Sequence, residues 1–157
     1  MILVALGLSA CAGSTLGTQT PQLDLKLEDE QGRTLQLSAL RGRPALLFLF
    51  ATFDTTSQLA LTPLLAAPAE LQQRATLIGV AVQPDAKLFL GPFREALDIH
   101  FPVYFEPEGK LLEGKTELGE LPGVPAYVAL DKEGHIRGTF FGVAKTQELE
   151  ALVDSAE

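Results

Sequence analysis

RPALLFLFATFDTTSQ, residues Arg43 to Gln58, divides into three parts. Ala45 to Phe50 is an unbroken apolar run, and Ala51-Thr52-Phe53 closes it. Asp54-Thr55-Thr56-Ser57 then places four polar residues ahead of a Leu- and Ala-rich segment. An apolar run of this length between turn signals reads as a strand buried on both faces. Asp, Thr and Ser before an apolar-periodic segment mark a helix N-terminus, because their oxygens can accept from its unpaired N–H groups. A strand passing directly into a helix start is where α/β folds place their chemistry, since those N–H groups and the helix dipole point there.

The flanking sequence extends this pattern in both directions. Upstream, Leu23 to Leu27 alternates like a half-buried strand. Glu28 to Gly32 supplies a turn and Thr34 to Leu37 a partner strand, together an N-terminal β-hairpin. Downstream, Ser57 to Arg74 is helical in pattern but contains Pro63 and Pro68, each of which removes a helix hydrogen bond, so a kink or a shortened helix is expected. Ala75 to Val82 is a second buried strand. Asp85 to Leu97 carries Phe89, Phe93 and Leu97 at helical spacing, interrupted by Gly91-Pro92. Phe101 to Tyr104 is a short extended piece, and Glu106 to Glu120 a polar loop. Ala126 to Leu130 and His135 to Phe141 flank a Gly-containing turn, and Gln147 to Val153 closes the chain as an amphipathic helix capped by Thr146.

The 157 residues fit one domain with a sizeable core. A net charge of −8 argues against nucleic acid and anionic lipid headgroups as partners. Cys11 is the one cysteine, which rules out a disulfide within the chain and a Cys-rich metal site. It follows an uncharged apolar run, MILVALGLSA, of the kind found in secretory signals. Leu8-Ser9-Ala10-Cys11 resembles the lipobox of bacterial lipoproteins, which implies acylation of Cys11. Ala12 at the next position implies delivery to the outer membrane. Residues 1–11 are thus expected to be a lipoprotein signal, 12–22 a tether rich in small and polar residues, and 23–157 the domain.

Over 23–155 the sequence resembles the thioredoxin-like TlpA-type disulfide reductases of the bacterial envelope, with the peroxiredoxins as more distant relatives. Leu37-Ser-Ala-Leu-Arg-Gly-Arg43 is similar to the family's lead-in to the central strand, and Phe50-Ala-Thr-Phe53 to its W-A-[ST]-W. Asp98 to Val103 resembles its FPV segment, and Gly123-Val-Pro-Ala-Tyr-Val-Ala-Leu-Asp131 its G[VI]P.TFLID. The resemblance implies a thioredoxin fold, a mixed central sheet flanked by helices, with Pro125 as a cis-proline facing the first helix.

Where the family carries Cys-x-x-Cys, this chain has Asp54 and, at the second position, Ser57 or, one residue on, Gln58. No option supplies a thiol, so thiol–disulfide exchange and peroxide reduction have no nucleophile. Asp54 reads as a helix cap, and His100 and His135 as surface residues. No metal ligand set or cofactor is expected. An apolar shelf of Phe53, Val124, Pro125, Gly142 and Val143 is expected to receive an extended peptide or an envelope protein. The alternative is a divergent redoxin with a non-thiol activity centred on Asp54.

Overall fold

The computed structural model describes residues 20–157. The expected lipid attachment at Cys11 and the expected signal, 1–11, lie outside the described residues. Pro21 and Gln22, assigned by sequence to the end of the tether, are already tied to the domain. Pro21 O accepts from Ile136 N at 2.9 Å, and Gln22 bridges His135.

Seven strands form one sheet: β1 (Lys26–Glu28), β2 (Thr34–Gln36), β3 (Ala45–Phe50), β4 (Thr76–Ala81), β5 (Val103–Phe105), β6 (Ala126–Leu130) and β7 (Ile136–Phe141), in the order β2-β1-β5-β4-β3-β6-β7. The helices are α1 (Thr55–Leu65), α2 (Ala69–Arg74), α3 (Ala86–Ala96) and α4 (Thr146–Ala156). The three adjacent strands β5, β4 and β3 are parallel, and β6 returns antiparallel beside β3. This is the thioredoxin fold preceded by a β-hairpin, with the apolar run Ala45–Phe50 fully buried at its centre.

Alternate residues of the central strands feed two apolar layers. On one face Phe48, Phe50, Ala81 and Tyr127 meet buried residues of all four described helices, among them Leu61, Leu71, Leu90 and Leu149. Phe48 and Phe50 stack with ring centroids 5.3 Å apart, and Phe93 of α3 stacks on Phe50 at 5.2 Å. On the other face Leu47, Leu49, Ile78 and Val80 are covered by Leu23, Leu25 and Leu111 of irregular chain and by Leu37 of a short 3-10 helix, Leu37–Leu40. The loop that supplies Leu111 is organised by the buried Glu106 carboxylate, which accepts from Glu108 N at 2.7 Å and Leu111 N at 3.3 Å.

Several boundaries differ from expectation. Leu23, Leu25 and Leu27 are buried in alternation, but the hairpin ladder covers only Lys26–Glu28, because Leu23 N bonds instead to Gly134 O. The first helix begins at Thr55, not Ser57; it ends at Leu65, the shortened helix that was one of the two expectations, and Pro68 caps a separate α2. Pro63 and Pro92 stay inside α1 and α3. The carbonyls they deprive of a donor belong to Leu59 and Leu88, both solvent-exposed residues, where water can substitute. The N-cap of α4 is Lys145, and Thr146 is its first residue. Of the expected α3 stripe, Phe93 is buried but Phe89 is exposed, and the buried line runs through Ala86, Leu90 and Phe93.

Candidate functional site

Asp54 sits where β3 has ended and α1 begins, with extended backbone at φ −91° and ψ 117°. That geometry turns its carboxylate back over the first turn. Oδ2 accepts from Ser57 N at 2.7 Å and from the Ser57 hydroxyl at 2.7 Å, while Oδ1 takes a long 3.4 Å bond from Thr56 N. Ser57 is fully buried, and its Oγ in turn accepts from Ala51 N at 3.2 Å. A relay therefore runs from the end of β3 through Ser57 to Asp54. The Ser57 hydroxyl bond, with the backbone N–H bonds of Ser57 and Thr56, outweighs burial and holds the Asp54 carboxyl below the usual carboxylate range. Of the two residues open for the second position, Ser57 faces Asp54. Gln58 is exposed and directs its amide to Thr52 O at 3.4 Å.

Sequence reasoning missed Gln83, which immobilises this junction. Its side chain is buried where β4 ends; Oε1 accepts from Thr52 N at 2.6 Å, and Nε2 donates to Thr52 Oγ1 at 2.8 Å and Asp85 Oδ1 at 3.2 Å. One amide thus fastens the approach to α1 to the approach to α3. The signal was present as a polar residue directly after the apolar run Ala75–Val82. Behind α1, the buried Tyr127 hydroxyl donates to Ala60 O at 3.0 Å, and burial pushes the phenol up to about 12.

The expected shelf residues meet at the same end of the sheet. Ala126 pairs with Leu49 and with Phe141, so Val124-Pro125 and Gly142-Val143 flank the end of β3. The Val124–Pro125 peptide bond is cis, and Pro125 O accepts from Gly142 N at 2.9 Å. Phe53 is 76% exposed and Val143 45%, Val124 and Gly142 are half-buried, and Pro125 is buried. No backbone hydrogen bond outside the helices and strands engages Val124 among the described residues.

The remaining polar candidates are structural. Asp131, Glu133 and His135 lie close enough to suggest a cation site. Both Asp131 oxygens are already committed, Oδ1 to the backbone N–H of Glu133 and His135, Oδ2 to His135 Nδ1 at 3.2 Å and Arg137 Nε at 2.9 Å. Burial opposes ionisation of Asp131, and those bonds more than offset it, leaving its pKa lowered. A guanidinium on the same oxygen makes this a turn-closing carboxylate rather than a cation cage. His135 is half-buried there, and the His100 side chain is 75% exposed.

A family model described as AhpC/TSA matches residues 16–141. No curated protein matches the chain. Among solved structures, DsbF of MTB shares 23% identity over 88% of this chain and 99% of its own, with a TM-score of 0.70. A DsbF homologue from Corynebacterium diphtheriae shares 19%, over 97% and 99%, with a TM-score of 0.72. A putative thiol:disulfide interchange protein DsbE from Chlorobium tepidum shares 19%, over 84% and 89%, with a TM-score of 0.66. The fold is common to all three, and in this chain its central strand opens into α1, whose N-terminus Asp54 caps. With the family match covering most of its length, the chain belongs to the AhpC/TSA family, as a thioredoxin-fold member whose one cysteine, Cys11, lies outside the motif.

Proposed function

We propose that this protein is a redox-inactive, lipid-anchored thioredoxin-fold module of the bacterial envelope that binds partners at the shelf around Pro125. The observation that carries the reading is the Asp54–Ser57 pair. A carboxylate and a hydroxyl close on each other at 2.7 Å where exchange chemistry requires two thiols. Beside them Phe53 stays exposed although nothing catalytic uses it. Exposed aromatic surface beside unengaged backbone is suited to an extended peptide, which adds main-chain hydrogen bonds to side-chain contacts. The lipobox-like Leu8–Cys11 supports the anchor and the envelope, and Ala12 the outer membrane. The names of the neighbouring structures, thiol:disulfide interchange proteins among them, accord with that compartment. The alternative, a non-thiol activity at Asp54, is opposed by the lowered pKa and the committed Oδ2, which make a poor general base.

The test is cross-linking and pull-down from envelope membranes with the wild type and with Phe53→Asp combined with Val124→Asp, folding being checked by circular dichroism. A partner captured by the wild type and lost by the variant is the expected result. An identical set from both overturns the shelf, and Asp54→Ala then tests the alternative. Disulfide reductase activity in protein lacking residues 1–11 would overturn redox inactivity.

A further inference from the structure

The shelf is one part of a larger apolar surface. Because β3, β4 and β7 all run in one direction, their C-terminal ends share a pole with the N-terminal turns of α1 and α3. Eight large hydrophobic residues are exposed among the described residues, and six belong to this pole: Phe53, Leu59, Leu88, Phe89, Phe141 and Val143. Leu88 is 74% exposed, nearly as open as Phe53, and lies in the first turn of α3. Gln83 keeps the two helix starts together, since its Nε2 bonds both Thr52 beside Phe53 and Asp85 ahead of α3. Apolar side chains gathered in this way on a soluble domain mark an interaction surface.

The charges at this pole define what can cover it. Asp54 and Asp85 stand at the starts of the two helices, so each helix end that would attract an anion instead presents a carboxylate. Lys87, the cation nearest in sequence, is paired with Glu28 at 2.7 Å, and Lys145 stands at the far end, after β7. We propose that the pole is one platform, extending from Phe141 and Val143 across Phe53 to Leu88 and Phe89, and that it takes a partner segment that is apolar and positively charged. Aliphatic or aromatic side chains of the segment lie over Phe53, Leu88 and Phe89, and a Lys or Arg lies over the α1–α3 side. This assignment rests on the binding reading above and adds the chemistry of the partner.

The experiment is selection of a random decapeptide display library on the immobilised full chain, followed by affinity measurement of the selected peptides. Enrichment of Lys or Arg together with large apolar residues is expected. Leu88→Ser combined with Phe89→Ser should weaken the selected peptides about tenfold, as for truncated anchor residues. Asp85→Asn should weaken basic peptides roughly two- to fivefold, with the loss shrinking at high salt. Peptides that are lost with Phe53→Asp, yet indifferent to Leu88, Phe89 and Asp85, would overturn the platform and leave the shelf standing. Absence of any peptide sensitive to Phe53→Asp would overturn both.

Discussion

Asp54 turns its carboxylate onto the first turn of α1 as a hydrogen-bonded cap. Replacing it with Ala should cost about 1 kcal/mol at pH 7, the usual loss for an N-cap, read from urea unfolding. The sign of the pH dependence follows from its lowered folded-state pKa. The cap's contribution is complete above the unfolded value of about 3.9 and disappears as pH falls through the folded value. Wild type and Asp54→Ala should therefore differ in midpoint at pH 7 and converge in acid. Tyr127→Phe tests the opposite side of α1, leaving Ala60 O without its phenolic donor at a cost of about 0.5–1.5 kcal/mol by the same assay. Asp54 was legible as a cap because capping is local. The choice between Ser57 and Gln58 was not, because it depends on which side chain the first turn aims at Ala51 N.

At the level of elements, strands were easier to read than helix interiors. Ala45–Phe50 and Ala75–Val82 declared themselves by length and continuity, and the sheet places both at its centre. The prolines pointed to a kinked or shortened helix, and the helix is shortened, but which proline ends it depends on what surrounds the freed carbonyls. Pro63 and Pro92 are tolerated where those carbonyls belong to exposed residues, whereas Pro68 opens a new helix. β5 was legible only as a short extended piece, Phe101 to Tyr104, because three residues carry no period. It is fixed by pairing with β4 and β1. Gly79 of β4 shows how closely these elements pack. A methyl group there would lie 3.0 Å from Val103 Cγ1, 3.1 Å from Phe50 Cε1 and 3.3 Å from Phe101 Cε2. Gly79→Ala should cost about 1–3 kcal/mol by overpacking, measured by urea denaturation.

In the whole molecule the fold was readable from order and spacing, but the platform was not. Phe89 looks like a core residue in a helical pattern, and Leu88 draws no notice, until the sheet shows which side of α3 it covers. The start of α1 holds the Asp54 and Ser57 side chains against each other, so Asp54→Cys with Ser57→Cys should form a disulfide and gain insulin-reducing activity that the proposed redox-inactive protein would lack. A thiol titration before and after oxidation, with a turbidity assay, reads both. A different consequence follows from where Pro21 and Gln22 join the sheet. They pair beside the β6–β7 turn, at the end of β6 opposite Pro125, and the five residues of β6 separate the two ends by roughly 17 Å. A lipid on Cys11 would thus hold the domain by its foot, with its apolar head directed away from the bilayer. From Cys11 to Pro21, where the domain is first held, the chain can reach at most about 36 Å, which bounds how far such an anchor could set the head from the membrane. For a protein anchored in this way, encounter with a partner in the same membrane would become a search in two dimensions, where reach, as much as the contacts, sets how often the two meet.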